Sequence, residues 1–189
     1  MKTSTIRIAS RTVVQTVFGC VAAFIIFVIQ YMIFGEYARK FLLMQPMLNG
    51  FLHVDFWHLT FNVFILFLLL LPDINDHYRF KNIFFITLII SLSYLPFTLF
   101  GIAEPAVGLS GTVYFLMTRW LLSWSYFKTG LSLLAIICLG ELNPINEKDQ
   151  IAHGVHLLGV SFGLLSTWKI ILRNCSCFLN KIFYFTPAL

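Results

Sequence analysis

From Val13 to Phe34 the chain runs 22 residues without a charged side chain. Surrounded by hydrocarbon, a peptide group has no water to bond and must find its partner within its own segment. A run of this length is therefore compelled into a helix that crosses a bilayer. Five further apolar runs follow it: Trp57 to Leu71, Ile83 to Phe100, Ser110 to Phe127, a short one from Leu131 to Leu142, and Ile151 to about Leu172. With 59% hydrophobic and 11% charged residues, 21 of them phenylalanine, the 189-residue chain leaves no soluble domain between the runs. The expected fold class is an all-α membrane protein, a bundle of six transmembrane helices over 13–173, between a short cytoplasmic N-terminus (1–12) and a short cytoplasmic C-terminal tail (174–189). The first run exceeds the roughly 7 to 15 apolar residues of a signal peptide, so it is expected to stay as a signal anchor.

Charge sets the orientation. With the N-terminus inside, Lys2, Arg7, Arg11, Arg79, Lys81, Arg119, Lys128, Lys169, Arg173 and Lys181 fall at or near the inner face, against Arg39, Lys40 and Lys148 outside. Ten against three is the asymmetry of the positive-inside rule. Arg119 lies within the fourth run, about 13 Å below Ser110 at 1.5 Å per residue, where it is expected to snorkel to the cytoplasmic surface. The sequence pI near 9.1 does not imply nucleic acid, because the basic residues form no patch or stripe. Cys20, Cys138, Cys175 and Cys177 have the spacing of neither a zinc site nor a disulfide framework. The second and fifth runs, at about 15 and 12 residues, are too short for a full-thickness bilayer, so those helices stop partway or the bilayer thins around them.

Three polar motifs interrupt this apolar background. In the first, HVDFWHLTFN, His53, His58 and Asn62 follow H-x4-H-x3-N, and His58 and Asn62 share one helical face. Polar groups at that depth are costly unless they face a partner or a water-filled cavity. The second is GLSG at 108–111, where Ser110 opens a helix. Its backbone N–H belongs to the unpaired first turn, where the macrodipole favours negative charge and an oxyanion is stabilised. This is not the G-x-S-x-G elbow of α/β-hydrolases, because Thr112 stands where that motif needs glycine. The third is HGVHLLGVSFG, where His156, Gly159 and Gly163 read H-x2-G-x3-G. The glycine pair is the small-x3-small pattern that lets membrane helices approach closely. A helix bearing Gly111 beside Ser110 can then meet the helix of Gly159 and Gly163, bringing a serine hydroxyl and an imidazole together as a Ser110–His156 dyad. His153 is the competing base; His156 is favoured because the glycine spacing starts from it. Tyr114, four residues after Ser110, is placed to stack on the imidazole.

Taken together and in this order, the motifs resemble those of the rhomboid family of intramembrane serine proteases, and GLSGTVYFLM is similar to the serine motif of its bacterial members. The likeness covers roughly Gly50 to Leu165 and extends to the rhombosortase branch, which trims C-terminal sorting tails. It implies a six-helix rhomboid-like bundle in a bacterial inner membrane, with nucleophile Ser110 on the fourth helix, base His156 on the sixth, and an outward-facing watery cavity. It further implies an oxyanion site formed by the Ser110 N–H with His58 and Asn62, a supporting Tyr114, and a structural hydrogen-bonding role for His53. Gly108, Gly111, Gly159 and Gly163 match its small-residue positions. Neither cofactor nor metal is implied, and the partners are transmembrane protein substrates and the bilayer. The Trp-Arg dipeptide that many relatives carry before the first histidine is missing from the first external loop, here about Gly35 to Phe51.

The sixth span has no acidic residue at an orienting position, so a dyad is expected, with Tyr114 supplying the orientation. Two other classes compete. A catalytically inactive rhomboid-like protein would bind membrane clients without cutting them, though such proteins lose the serine or histidine kept here. A small transporter could relay protons through its histidines. A zinc protease is disfavoured, because the five histidines include no H-E-x-x-H.

Overall fold

The computed structural model describes residues 3–35, 46–53, 55–71, 75, 78–102, 107–123, 127–142 and 153–183, with side chains described for all of these except 46–47 and 173–183. Its helices are α1 (Thr3–Phe34), α2 (Pro46–Asn49), α3 (Phe56–Leu70), α4 (Phe80–Leu99), α5 (Ser110–Ser123), α6 (Phe127–Leu142) and α7 (His153–Phe183), with no strand among the described residues. The expected all-α architecture of six long helices is observed, with the single-turn α2 added in the first loop. Arg39, Lys40 and Lys148, and the side chains of Cys175 and Cys177, lie outside the described residues.

Three helices are long and apolar enough to cross a membrane by length and composition: α1, α4 and the 153–172 part of α7. Among the described residues α3, α5 and α6 are shorter. In α5, ten of 14 residues are buried, including Thr112, Thr118 and Arg119. This helix sits at the centre of the bundle, with protein rather than lipid around it, so it need not be apolar or about 30 Å long. It is described as far as Ser123, and α6 is already helical at Phe127, four residues before the expected Leu131.

At the periphery, α1 starts at Thr3, within the segment expected as a cytoplasmic leader, and turns one stripe of small residues inward: Thr5, Ala9, Thr12, Thr16, Cys20 and Ala23. Such a stripe allows close helix contact where no hydrophobic effect drives association. The opposite face carries exposed Phe18, Phe24 and Met32, as expected of side chains that meet lipid tails. At the other terminus α7 continues to Phe183, into the segment expected as a tail.

The α5–α7 pair forms the axis. A Cβ on Gly159 would run into the carbonyl oxygen of Gly111, and one on Gly163 would lie 2.9 Å from the Phe115 carbonyl oxygen and 2.6 Å from the Thr118 Cβ. Contacts of 111 with 155 and 159, then of 115 and 118 with 163, show that the two helices run parallel. Thr87 on α4 and Thr112 on α5 add a buried hydroxyl–hydroxyl hydrogen bond of 2.7 Å.

Arg119 corrects an expectation. It does not snorkel: it is 9% exposed, its Nε donates to Asn75 Oδ1 (3.4 Å) and its Nη1 to Ser166 Oγ (3.0 Å), and its guanidinium lies 5.3 Å from the Tyr78 ring centroid. Fully buried Asn75 in turn donates to the carbonyls of Leu69 (2.9 Å) and Leu116 (3.2 Å). A buried guanidinium is tolerated when its donors find oxygens, and here they tie the α3–α4 connection to α5 and α7.

Candidate active site

Ser110 owes its position to the residues just before it. Gly108 has φ +106°, in the region that favours glycine, and a Cβ there would sit 2.9 Å from His58 Cε1 and 3.5 Å from His53 Cδ2. The two imidazoles thus press on the bare backbone of the GLSG turn, their rings edge-on with centroids 5.1 Å apart. Gly108 N–H donates to the Asn49 carbonyl at 2.9 Å, anchoring the turn to α2.

His53 holds the next residue. Its Nδ1 lies 3.1 Å from the Phe51 carbonyl oxygen, which can only accept, so Nδ1 carries the proton. Nε2 is then free to accept the Leu109 N–H at 3.4 Å, immediately before Ser110. Burial, and secondarily His58, lower the His53 pKa to about 4, while the Phe51 carbonyl and Asp55 pull the other way. The lone pair that holds Leu109 is therefore kept through the neutral range.

On α3, Asp55 caps the helix by accepting the His58 N–H at 2.7 Å, which places His58 in the first turn and Asn62 one turn deeper. Asn62 is 4% exposed, and its Nδ2 donates one hydrogen to the His58 carbonyl at 2.9 Å. A carboxamide has two such hydrogens, so one donor is left.

On α7, His156 is buried and lies against α5. Its ring stacks on that of Tyr114, with centroids 4.3 Å apart and planes 7° from parallel. Tyr114 is one turn beyond Ser110 on the same face of α5, so the imidazole sits alongside the first turns of the serine helix. Ser110 is itself buried, and among the described residues its hydroxyl is not hydrogen-bonded to His156. Catalytic contacts in enzymes without substrate are often longer than in the reacting complex.

One residue escapes the sequence motifs. Glu141, at the end of α6, reaches the same imidazole: its Oε2 lies 2.8 Å from His156 Nδ1 and 2.7 Å from His153 Nδ1, and its Oε1 accepts the Tyr114 hydroxyl proton. An ionised carboxylate only accepts, so both imidazoles bear hydrogen on Nδ1, and His156 is left with a lone pair on Nε2. The dyad expectation considered the sixth span alone, whereas this carboxylate comes from the preceding helix. Read from sequence, Glu141 falls with the acids of the external segments, yet it is the one acidic residue within the six expected runs, one position from the end of the fifth, and that is the signal that could have found it.

Tyr114, Glu141, His153 and His156 thus converge, and His53 and His58 meet at Gly108, two residues before Ser110, with Asn62 one turn below His58 on α3. The arrangement offers a hydroxyl at a helix N-terminus, an imidazole whose second nitrogen faces a carboxylate, and a carboxamide with an unspent donor. Glu141, His153 and His156 also have ligand atoms within 4.8 Å of one another, a grouping able to hold a metal ion. A family model described as the Rhomboid domain matches residues 41–173. Neither the curated proteins nor the solved structures contain a match to the chain.

Proposed function

Because the chain belongs to the rhomboid family, whose members are in general intramembrane serine proteases, we propose that it is a serine endopeptidase cutting peptide bonds in or beside transmembrane segments of membrane-protein substrates. Ser110 is the nucleophile and His156 the base. Neutral His156 takes the Oγ proton on Nε2 as Oγ bonds to the substrate carbonyl carbon. The imidazolium then returns that proton to the departing amine as the C–N bond breaks. Water hydrolyses the resulting ester by the same two proton movements in reverse order.

Glu141 is a positioning residue. By accepting from Nδ1–H it holds the tautomer whose Nε2 is basic and stabilises the imidazolium as it forms. The negative charge that develops on the carbonyl oxygen is met by the Ser110 N–H in the first turn of α5, and by His58 and the unspent Asn62 donor. A helical substrate hides its carbonyl in the backbone ladder, so segments with weak helix formers such as glycine or proline near the cut are favoured.

The single observation that carries this reading is the His156 ring, clamped between the Tyr114 ring at 4.3 Å and the Glu141 carboxylate at 2.8 Å on the face of the serine helix. His153 contacts the same carboxylate, but the Tyr114 stack belongs to His156. The test is cleavage of a reporter transmembrane substrate by purified protein in liposomes. Activity should disappear with Ser110→Ala and with His156→Ala, and undiminished cleavage by Ser110→Ala would refute the assignment.

A further inference from the structure

His153 has no task in the reaction just derived, yet it is more than a bystander. Its Nδ1 meets the same carboxylate oxygen as His156, and its Nε2 is buried without a hydrogen-bond partner among the described residues. Both imidazoles aim one nitrogen at a single point, and the third group there is an anion. We propose that Glu141, His153 and His156 form a binding site for a divalent transition-metal ion of the zinc type, and that occupation of the site switches the protease off. The inhibitory half rests on His156 being the base; the binding half does not.

The donor set is the first support. Two imidazole nitrogens and one carboxylate oxygen, leaving one further position, suit zinc and its neighbours and not magnesium, which prefers oxygen throughout. Spacing is the second. Zinc bonds of about 2.0 to 2.2 Å place tetrahedral ligand atoms about 3.3 Å apart. The three atoms lie within 4.8 Å of one another, with both N···O distances below 3 Å, so the two N···O gaps open by about half an ångström and the two imidazole nitrogens close by at most about 1.5 Å to accommodate an ion, shifts within reach of side-chain rotation. Surroundings are the third. Tyr114 donates to the other carboxylate oxygen and would orient it, as supporting partners do around metals. Two of the three ligands are also not sealed in the core: the side chains of His153 and Glu141 are 24% and 11% exposed.

Inhibition follows from proton placement. In the metal-free protein His156 carries its hydrogen on Nδ1 and accepts with Nε2. An ion on Nδ1 needs the lone pair there, so the neutral ring must carry its hydrogen on Nε2 instead. That nitrogen can then no longer take the Ser110 proton. The ion also engages the carboxylate that would stabilise the imidazolium.

Binding is measured on Ser110→Ala protein in detergent, which keeps all three ligands and cannot cut itself. Zinc chloride is titrated against a chelating dye, with magnesium chloride as control. One zinc per chain is expected, with a raised unfolding temperature and no response to magnesium. Adding Glu141→Gln or His153→Gln should weaken zinc binding by at least the roughly 10- to 100-fold that losing even a supporting partner costs. Absent saturable binding, or binding indifferent to both substitutions, overturns the site.

The second arm follows substrate cleavage with and without zinc, each variant normalised to its own metal-free rate. Reversible inhibition of the parent, restored by EDTA and requiring at least tenfold more zinc in His153→Gln, supports the switch. Stoichiometric binding with undiminished cleavage overturns the inhibitory half and speaks against His156 as base. Binding by a protein that cleaves nothing even without metal leaves the site standing and counts against the protease reading.

Discussion

Replacing Glu141 by glutamine changes no volume and removes one charge. The carboxylate accepts from three donors, His153 Nδ1 at 2.7 Å, His156 Nδ1 at 2.8 Å and the Tyr114 hydroxyl. A carboxamide has one oxygen and one NH2, so it cannot accept from all three, and its NH2 pushes a neighbouring imidazole to accept on Nδ1. For His156 that moves the hydrogen to Nε2, the atom that must take the Ser110 proton. The lost charge-assisted hydrogen bond to the imidazolium is worth about 1.5 to 3 kcal/mol, roughly 10- to 150-fold in rate. The wrong tautomer can extend a loss of this kind to about 10⁴-fold. A fall of about 10- to 10⁴-fold in kcat is therefore expected for Glu141→Gln, with KM nearly unchanged because Glu141 is not proposed to touch substrate. The assay is initial-rate cleavage of a fluorogenic transmembrane substrate in liposomes over a range of substrate mole fractions. A kcat within about threefold of the parent would show that His156 does not depend on this carboxylate.

Other expectations rest on separate contacts. Asn62→Ala removes one oxyanion donor and should lower kcat by about 10² to 10³ while the protein still folds, as checked by the same assay and thermal unfolding. Gly159→Val drives a side chain into the Gly111 carbonyl and should cost about 1 to 3 kcal/mol or more, read as a lowered unfolding temperature in micelles together with lost cleavage. His53 keeps its lone pair for Leu109 only while neutral. Its folded pKa is depressed, so the unfolded chain takes up the proton first as pH falls. Its contribution is intact above the ordinary value of 6.5 and is lost progressively down to about 4. Unfolding temperature should fall across that window, and less steeply in His53→Gln.

Much of this was legible in the sequence because membrane folding leaves few choices. Runs such as Trp57 to Leu71 and Ile83 to Phe100 become α3 and α4 within a few residues, since hydrocarbon enforces helix wherever it extends. The glycines at 159 and 163 named the helix pair that packs closest, because only a missing side chain permits that approach. Arg119 was misread because depth along one helix says nothing of partners 44 and 47 residues away, Asn75 and Ser166. Glu141 was missed for a similar reason: no local spacing ties it to a histidine 15 residues later on another helix. Helix extents were less legible: α1 is already helical at Thr3, ten residues before the apolar run begins, and the face it buries there is threonine and alanine, which hydropathy does not mark.

The central claim is that Ser110 is a nucleophile activated by His156, and covalent capture tests it without knowledge of any natural substrate. Purified protein in micelles is treated with a fluorophosphonate probe, digested, and the modified residue located by mass spectrometry. One adduct, on Ser110, is expected, nearly absent in His156→Ala and strongly reduced in Glu141→Gln. An adduct elsewhere, no adduct at all, or equal labelling with and without the His156 imidazole would contradict the account.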